Sequence, residues 1–254
     1  MKAVIMAGGA GTRLRPLTFT RPKPAMPVAN KPIVNHVVDL ITAAGIREVL
    51  VTLWYGKEVI EHCLSEVEGV EVRYSTEDRP LGTAGGVGKV REELEDTFIV
   101  VSGDLVTDVD LAAVVEAHRR SGGSVTMVLF EVQDPRHFGV AEVDEEGRIR
   151  RFVEKPRFQE AFSRLANAGI YVVEPEVFKY IPEGASVDFA RDVFPRMLKA
   201  GEELYGYVHR GYWNDVGTLE SYMKANMDAL DFKVRLSIPA RQVKPKVWVG
   251  EGAE

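Results

Sequence analysis

The stretch AVIMAGGAGTRLRPLT, residues 3–18, decides the fold of this 254-residue chain. Its first five residues are apolar and partly β-branched, as in a buried strand. Glycines at positions 8, 9 and 11 then end the strand, and a helix-like pattern follows at 32–44. A strand, a glycine loop and a helix in this order form the first unit of an α/β fold.

The same alternation continues through the first half of the chain. Further strand-like runs lie at 49–53, 70–75 and 98–101, and helical spacing occurs at 57–67 and 83–94. Strands alternating with helices form a mostly parallel sheet with helices on both faces. We therefore predict a Rossmann-like α/β fold, in which ligands bind at the carboxyl ends of the strands. The glycine loop and Ser102-Gly103-Asp104 both fall at that edge.

The second half of the chain carries more strands than helices. Runs at 124–132, 140–144, 149–153 and 168–174 predict a mixed or antiparallel extension of the sheet, and helical patterns return at 189–200 and 219–230. We predict one main domain at 1–232 and a short tail at 233–254.

The tail has a different apolar pattern. From Ile238 onward, apolar residues recur with a spacing that resembles the start of a left-handed hexapeptide β-helix. A disordered end explains the pattern equally well. One coil cannot cover its own apolar face, so a β-helix tail would either continue into a longer chain or dock on a neighbouring copy. We expect a homo-oligomer.

Composition limits the classes of partner. The formal net charge of -6 disfavours nucleic acid and anionic membranes, which both bind basic surfaces. No apolar run approaches the ~20 residues of a membrane span, and no secretory leader precedes the first strand. The single cysteine, Cys63, cannot form an internal disulfide. We therefore expect a cytoplasmic protein without nucleic-acid or membrane partners.

The glycine loop has the residue types of a triphosphate site. Without Cβ atoms, Gly8, Gly9 and Gly11 let backbone N–H groups close around a phosphate. Arg13 offers a guanidinium fork to two phosphate oxygens, and Lys23, between two prolines, is expected to present its ammonium from an extended backbone. A tight turn with a solvated basic loop is the simpler alternative. The loop lacks the Gly-Lys-Ser/Thr ending of a P-loop. It also does not match the glycine spacing of the dinucleotide-binding fingerprint.

Two carboxylates are candidates for a magnesium site. Asp104 follows a predicted strand, and Asp215 precedes a predicted helix, so turn or capping roles also fit them. Two carboxylates with phosphate oxygens and water would suit Mg²⁺. Asp108-Val109-Asp110 imitates the metal motif of glycosyltransferases, but helix capping explains it better because a helical run follows at once.

Two further motifs could bind a sugar phosphate. In Glu154-Lys155-Pro156, a proline again follows a lysine that is expected to be extended, and its ammonium could meet a phosphate while the carboxylate accepts sugar hydroxyls. A weak surface ion pair is the alternative. Asn167-Ala168-Gly169 suits sugar hydroxyls or a turn.

Taken together, these motifs resemble the sugar-1-phosphate nucleotidyltransferases, and within them the mannose-1-phosphate guanylyltransferase branch. They follow the family's order and cover the chain to about residue 230. The quoted motifs are residues 8–18, Lys23-Pro24, 81–86, Gly103-Asp104, Phe138-Gly139-Val140, Glu154-Lys155-Pro156, Asn167-Ala168-Gly169 and Trp213-Asn214-Asp215-Val216-Gly217.

The resemblance implies a role for each matched residue. Residues 1–232 would be the catalytic domain, with NTP and a sugar 1-phosphate as substrates and Mg²⁺ as the cofactor. Arg13, Lys23 and Lys155 would act on the reacting phosphates, and Asp104 and Asp215 would hold the metal. The implied nucleotide-binding residues are Gly8, Gly9, Gly11, Thr12, Glu77, Gly82 and Thr83, and the implied sugar-phosphate residues are Gly139, Glu154, Lys155 and Asn167.

Glu77 favours guanine as the base. It stands where thymidylyl relatives carry glutamine, and a carboxylate can accept from guanine N1–H and the exocyclic amine together. The resemblance therefore implies formation of GDP-mannose from GTP and mannose 1-phosphate. Thymidylyl or uridylyl transfer to glucose 1-phosphate is the runner-up. A catalytically silent paralogue that binds a nucleotide sugar and regulates a partner is the non-enzymatic alternative.

Overall fold

A computed structural model describes residues 1–157, 162–250 and 252 of the chain. Its central feature is a sheet of nine strands, flanked by helices. The strands of the described residues are β1 (Ala3–Met6), β2 (Pro27–Val28), β3 (Lys31–Pro32), β4 (Glu48–Leu53), β5 (Glu71–Thr76), β6 (Phe98–Ser102), β7 (Val106–Thr107), β8 (Val125–Glu131), β9 (Gly139–Val143), β10 (Ile149–Glu154), β11 (Leu165–Val173), β12 (Leu204–His209), β13 (Trp213–Asn214), β14 (Arg241–Lys244) and β15 (Val247–Val249).

The α-helices are short and lie mainly between the strands of the first half. Their bounds are α1 (Ile33–Ala43), α2 (Lys57–Leu64), α3 (Gly82–Gly88), α4 (Leu111–Ser121), α5 (Phe194–Lys199) and α6 (Leu219–Leu230). A π-helical turn, Phe189–Val193, leads directly into α5. Within the described residues, no helix has the length and apolar character needed to cross a membrane.

The first half of the sheet is parallel, as the alternation predicts. Strands β5, β4, β1 and β6 lie side by side in that order, with Ala3 of β1 opposite Val49 and Ile99. Successive β1 side chains enter different cores: Ile5 packs with α1, α2 and α4, whereas Val4 packs with α3 and α5. The predicted parallel α/β half with helices on both faces is confirmed.

The second half extends the sheet with antiparallel strands. Strand β11 pairs antiparallel with β6, β8 and β9, and β9 pairs antiparallel with β10. The turn between β9 and β10 contains Gly147, which has a φ of 81°. Strand β12, which the sequence patterns did not indicate, adds a parallel neighbour to β8.

The tail differs from the predicted β-helix coil. Strands β14 and β15 pair antiparallel, whereas the coils of a β-helix stack in parallel. The turn between them contains Pro245 and Lys246, and Lys246 has a φ of 62°. Proline followed by a positive φ is typical of a tight type II turn, which reverses the chain. Before the hairpin, Val234 is buried against the main body, in a cluster that includes Leu14.

Candidate active site

Three segments that are distant in sequence meet at the carboxyl ends of β1 and β6. The ammonium nitrogen of Lys23 lies 2.6 Å from Oδ2 of Asp104 and donates a hydrogen bond to the backbone oxygen of Asp215. Asp104 follows β6, and Asp215 follows β13. These charge-assisted contacts fix the ammonium at the edge where the sequence predicts the ligand site.

The glycine loop packs closely on the segment that carries Lys23. Gly11 has a φ of 59°, and a Cβ on it would lie only 2.8 Å from the Cβ of Lys23. The Thr18 hydroxyl also donates to the carbonyl of Gly11, at 2.8 Å. A larger residue at position 11 would be strained and would displace Lys23, so the loop needs glycine there.

The backbone of Lys23 differs from the extended form predicted from its prolines. Lys23 begins a 3₁₀ turn, Lys23–Ala25, in which the N–H of Met26 donates to the Lys23 carbonyl at 3.0 Å. Pro22 is extended, whereas Pro24 occupies the start of the turn, where its missing N–H leaves no turn hydrogen bond unmade. The residue is only 7% exposed, so it lies in the interior of the site.

A second glycine brings Arg13 close to the Asp215 carboxylate. A Cβ on Gly217 would lie 2.8 Å from Oδ2 of Asp215 and 3.2 Å from Nη2 of Arg13. The N–H of Gly217 donates to the other carboxylate oxygen, at 3.2 Å. Thr218, and not Asp215, caps α6, so the Asp215 carboxylate is not used as the cap of this helix.

Arg13, Lys23 and Asp104 line a cavity of about 210 Å³. Most of the predicted phosphate-binding residues are therefore in one place. The lining comprises Met6, Gly9, Gly11, Thr12, Arg13, Leu14, Lys23, Pro24, Asp104 and Gly217. Two cations beside a glycine-rich backbone suit a polyphosphate.

The two predicted metal ligands fit a magnesium ion that substrate oxygens help to bind. Asp104 contacts Lys23 through its carboxylate and Asp215 through its backbone oxygen, so the two residues lie on either side of one ammonium and both carry the hard carboxylate oxygens that Mg²⁺ prefers. Across the described ranges, no group of three or more His, Cys, Asp or Glu residues could hold a metal ion. A site that takes only two protein carboxylates and completes its shell with phosphate and water is the form in which Mg²⁺ commonly binds.

A second cavity, of about 320 Å³, adjoins the first. The two cavities share Met6, Gly9 and Asp104 in their linings. The second contains most of the residues assigned to nucleotide binding and several that the sequence patterns missed. Its lining comprises Met6, Gly8, Gly9, Ala10, Thr52, Trp54, Glu77, Pro80, Gly82, Thr83, Ser102 and Asp104. Trp54 directly follows β4. Because ligands bind at the carboxyl ends of parallel strands, this position could have been predicted from the sequence.

Glu77 lies in the wall of this second cavity and is 8% exposed. Its Oε2 accepts a hydrogen bond of 2.8 Å from the N–H of Leu81. Its Oε1 lies beside Gly86, where an added Cβ would be 2.5 Å from that oxygen. Burial raises the pKa of the Glu77 carboxyl, and the Leu81 hydrogen bond opposes this effect. One carboxylate oxygen is therefore already engaged, and the other remains available at the cavity.

Three of the predicted sugar-phosphate residues lie together at the adjoining ends of β9 and β10. A Cβ on Gly139 would be 2.6 Å from Oε2 of Glu154, so glycine makes room for that carboxylate. Burial raises the pKa of Glu154, and the nearby Lys155 opposes this effect. The Lys155 ammonium lies 3.5 Å from Oε1 of Glu154 and its side chain is 65% exposed.

The extended backbone predicted for Lys155 is wrong. Its φ is 47°, in the left-handed region. Strand β10 ends at Glu154, and the N–H of Lys155 then donates to the carbonyl of Phe138 at 3.0 Å. This turn directs the chain away from the sheet, and it overrides the preference that the following proline imposes.

Asn167 is tied to the sheet by both ends of its amide. Its Nδ2 donates to the Tyr171 hydroxyl at 2.8 Å, and its Oδ1 accepts from the N–H of Gly169 at 2.9 Å. The pairing of β11 with β8 is irregular between Asn167 and Tyr171. The amide therefore stabilises a local irregularity, and one Nδ2 hydrogen is left for a ligand.

The Asp108-Val109-Asp110 motif has structural roles. Asp110 caps α4 by accepting from the N–H of Ala113 at 3.0 Å. Asp108 accepts from the N–H of Tyr212 at 2.8 Å and lies 3.2 Å from Nε2 of His209. Both carboxylates are engaged in this way, which agrees with the capping interpretation of the motif.

Comparisons with known proteins agree with this geometry. The family model described as "Nucleotidyl transferase" matches residues 2–231. A mannose-1-phosphate guanylyltransferase of Mycobacterium tuberculosis is 41% identical over 89% of this chain and 64% of its own length. A UTP–glucose-1-phosphate uridylyltransferase of Synechocystis is 35% identical over 98% of this chain and 69% of its own length.

A solved structure has the same fold. A Bacillus anthracis protein, provisionally named a glucose-1-phosphate thymidylyltransferase, superposes with a TM-score of 0.81 at 29% identity, over 93% of this chain and 97% of its own. The chain spans about two thirds of the length of the curated relatives above. Since the family model covers strands β1 to β13 and both cavities, this chain belongs to the nucleotidyl transferase family.

Proposed function

We propose that this chain transfers a nucleotidyl group from an NTP to a sugar 1-phosphate, with GTP and mannose 1-phosphate as the preferred pair. The observation that carries the proposal is the continuity of the two cavities through Gly9 and Asp104. A triphosphate would lie by Arg13 and Lys23, with its base in the cavity that Glu77 lines. The products would be GDP-mannose and pyrophosphate.

The reaction needs charge neutralisation and alignment more than a protein nucleophile. A phosphate oxygen of the sugar 1-phosphate attacks the α-phosphorus, forming one P–O bond while the bond to the β-phosphate oxygen breaks. The electron pair leaves with pyrophosphate. Because both reactants are polyanions, Arg13, Lys23 and Lys155 would lower the barrier by holding them together and by stabilising the leaving charge.

The proposal includes Mg²⁺ as the cofactor, held by Asp104 and Asp215. Bound there, the ion would neutralise phosphate charge and favour in-line geometry. Asp104 also holds the Lys23 ammonium, so this one carboxylate would organise two cations around the reacting phosphates. Glu154 and Asn167 would contact the sugar, with Gly139 leaving space beside Glu154.

The preference for GTP rests on Glu77 and on the guanylyltransferase relatives. A carboxylate oxygen at the cavity can accept from the N–H groups of guanine, whereas uracil and thymine offer only one N–H between two carbonyls. The Leu81 N–H engages Oε2, so Oε1 would make the principal base contact. Uridylyl or thymidylyl transfer to glucose 1-phosphate is the second candidate, favoured by the Synechocystis relative.

Other features of the proposal concern the whole molecule. Residues 1–232 would form the catalytic domain and 233–254 the tail. We expect a cytoplasmic homo-oligomer without nucleic-acid partners, in keeping with the net charge of -6 and the single cysteine.

A silent regulatory paralogue would be expected to lose part of the charged set, yet the chain carries Arg13, Lys23, Asp104, Lys155 and Asp215.

The test is Mg²⁺-dependent release of pyrophosphate with GTP, dTTP, UTP, ATP and CTP, each with mannose or glucose 1-phosphate. An optimum with GTP and mannose 1-phosphate is expected. Faster turnover of another pair would keep the reaction and replace the substrates. Folded protein that releases no pyrophosphate with any pair would contradict the enzymatic function and favour the silent paralogue.

A further inference from the structure

The 185–189 segment lies directly against residues 81–85, at the start of α3 and beside the nucleotide cavity. The N–H groups of Ala84 and Gly85 both donate to the carbonyl of Val187 at 3.0 Å, and the N–H of Val187 donates to the carbonyl of Leu81 at 2.8 Å. The Val187 carbonyl therefore accepts from two N–H groups in the first turn of α3, and Val187 is bonded to residues 81–85 through both its N–H and its carbonyl.

Two glycines make this close approach possible. Gly82 has a φ of 73°, and a Cβ on it would lie 2.6 Å from the carbonyl oxygen of Val187. A Cβ on Gly85 would lie 2.5 Å from the carbonyl oxygen of Ala185. Any larger residue at either position would push the 185–189 segment away from the cavity loop.

A side-chain pair completes the contact. The Thr83 hydroxyl donates to Oδ2 of Asp188 at 2.8 Å and accepts from the N–H of Phe189 at 2.9 Å. The other oxygen of Asp188 accepts from the N–H of Arg191, at 2.9 Å. Since Thr83 also lines the nucleotide cavity, this hydroxyl connects the cavity wall to Asp188.

Asp188 also acts on the group of residues assigned to the sugar. The ring of the adjacent Phe189 packs 5.5 Å from that of Tyr171, whose hydroxyl accepts a hydrogen bond from Asn167. Burial raises the pKa of Glu154, and the charge of Asp188 adds to this effect. The positive charge of Arg191 opposes this rise in the pKa of Glu154. The segment with Asp188 and Phe189 therefore contacts Thr83 in the wall of the nucleotide cavity and also Tyr171, which holds Asn167 of the predicted sugar site.

We infer that the Thr83–Asp188 pair couples the two substrate subsites, so that a nucleotide in its cavity strengthens binding of the sugar 1-phosphate, and the reverse. This inference rests on the proposed function. A nucleotide that contacts the wall at Thr83 restricts the start of α3, and the bonded 185–189 segment is restricted with it. Asp188 is thus a positioning residue, which sets the place of the sugar pocket without itself taking part in the chemistry.

The experiment measures the coupling directly. Isothermal titration gives the Kd of the sugar 1-phosphate with and without a saturating α,β-methylene analogue of the nucleotide that wild type uses fastest. The wild-type ratio should be about fivefold or more, the lower end of typical couplings, and linkage requires the same ratio for the nucleotide. Thr83→Val, which removes the hydroxyl at nearly constant volume, should reduce the ratio to below about twofold.

Thr83→Ser is the matched control, because it keeps the hydroxyl and should keep the wild-type ratio. If Thr83→Val does not fold, Asp188→Asn, which removes the charge between the pockets, should also lower the ratio. A ratio that persists in folded Thr83→Val, or a wild-type ratio near one, would overturn the inference. In either case wild-type turnover would leave the proposed function standing, whereas failure of that function would appear as absent turnover.

Discussion

The ammonium nitrogen of Lys23 lies 2.6 Å from Oδ2 of Asp104, inside a cavity that Arg13 also lines. Lys23 follows β1 and Asp104 follows β6, so the contact joins the carboxyl ends of two neighbouring parallel strands. The same ammonium binds the carbonyl of Asp215, just ahead of α6. One buried cation thereby connects the carboxylate of Asp104 with the backbone of Asp215, the two residues that would hold the metal.

Replacing Arg13 should impair turnover without unfolding the protein. Arg13→Ala removes a guanidinium from the 210 Å³ cavity, and the loss should be on the order of a hundredfold in kcat. Arg15→Ala is the matched control, because Arg15 is exposed in the same loop and stacks on Phe19. Steady-state kinetics together with thermal unfolding check this. Near-normal kcat in Arg13→Ala would show that the loop is only structural.

Replacing either proposed metal ligand should weaken the metal complex. Asp104→Asn and Asp215→Asn should each raise the Mg²⁺ concentration needed for half-maximal turnover by more than about tenfold. Binding of Mn²⁺ to the protein with GTP, followed by electron paramagnetic resonance, gives a readout independent of turnover. Asp110→Asn is the control, since asparagine also caps helices and Asp110 caps α4. Equal Mn²⁺ affinity in all three variants would rule out this metal site.

Glu77 should set the choice of base. Glu77→Gln keeps an acceptor for the Leu81 N–H but replaces the charged carboxylate that would face guanine. The ratio of kcat/KM for GTP to that for dTTP should fall by about tenfold, the effect of losing roughly one charge-assisted hydrogen bond. Competition assays with both nucleotides present measure this ratio. An unchanged ratio would remove Glu77 from base selection.

The same residue should contribute a pH dependence of stability. Burial raises the Glu77 pKa above its ordinary value of 4.5, so the folded state holds the proton more tightly than the unfolded state. Its stabilising contribution is therefore complete at low pH and is lost as pH rises through the folded-state pKa. The free energy of unfolding of Glu77→Gln, relative to wild type, should increase across that window. Urea titrations from about pH 4 to about pH 8 test this. A pH-independent difference would contradict the raised pKa.

Two neighbouring residues before α6 should affect turnover and stability separately. Gly217→Ala places a Cβ 2.8 Å from Oδ2 of Asp215, so it should disturb that carboxylate and lower kcat while thermal stability changes little. Thr218→Ala removes the helix cap instead and should cost about 1 kcal/mol of stability with kcat preserved. Paired kinetics and unfolding of the two variants make the comparison. Equal kcat values would mean that the geometry at Gly217 is unimportant.

The position of the site could be predicted because it follows from alternation and topology. Parallel strands place their carboxyl ends on one edge, so the loops after β1 and β6 had to meet. Local conformation was less predictable. Prolines after Lys23 and Lys155 favour extended backbone, but a 3₁₀ turn at one and a hydrogen bond to Phe138 at the other override that preference.

Contacts between distant segments explain what the sequence patterns missed. Gly206 interrupts the run of large side chains in β12 and weakens the strand pattern, yet a Cβ there would lie 2.5 Å from Cδ1 of Leu129. The packing of β12 on its neighbour requires that glycine. The role of Asp188 likewise could not be predicted from the sequence, because its partner Thr83 lies 105 residues away.

The most direct test of nucleotidyl transfer is to follow GTP, mannose 1-phosphate and Mg²⁺ with the protein by ³¹P nuclear magnetic resonance. We predict that pyrophosphate and a nucleoside diphosphate sugar appear in equal amounts, and only when both substrates are present. Pyrophosphate formed without the sugar 1-phosphate, or no new phosphorus signals from folded protein with any of the paired substrates, would contradict the account.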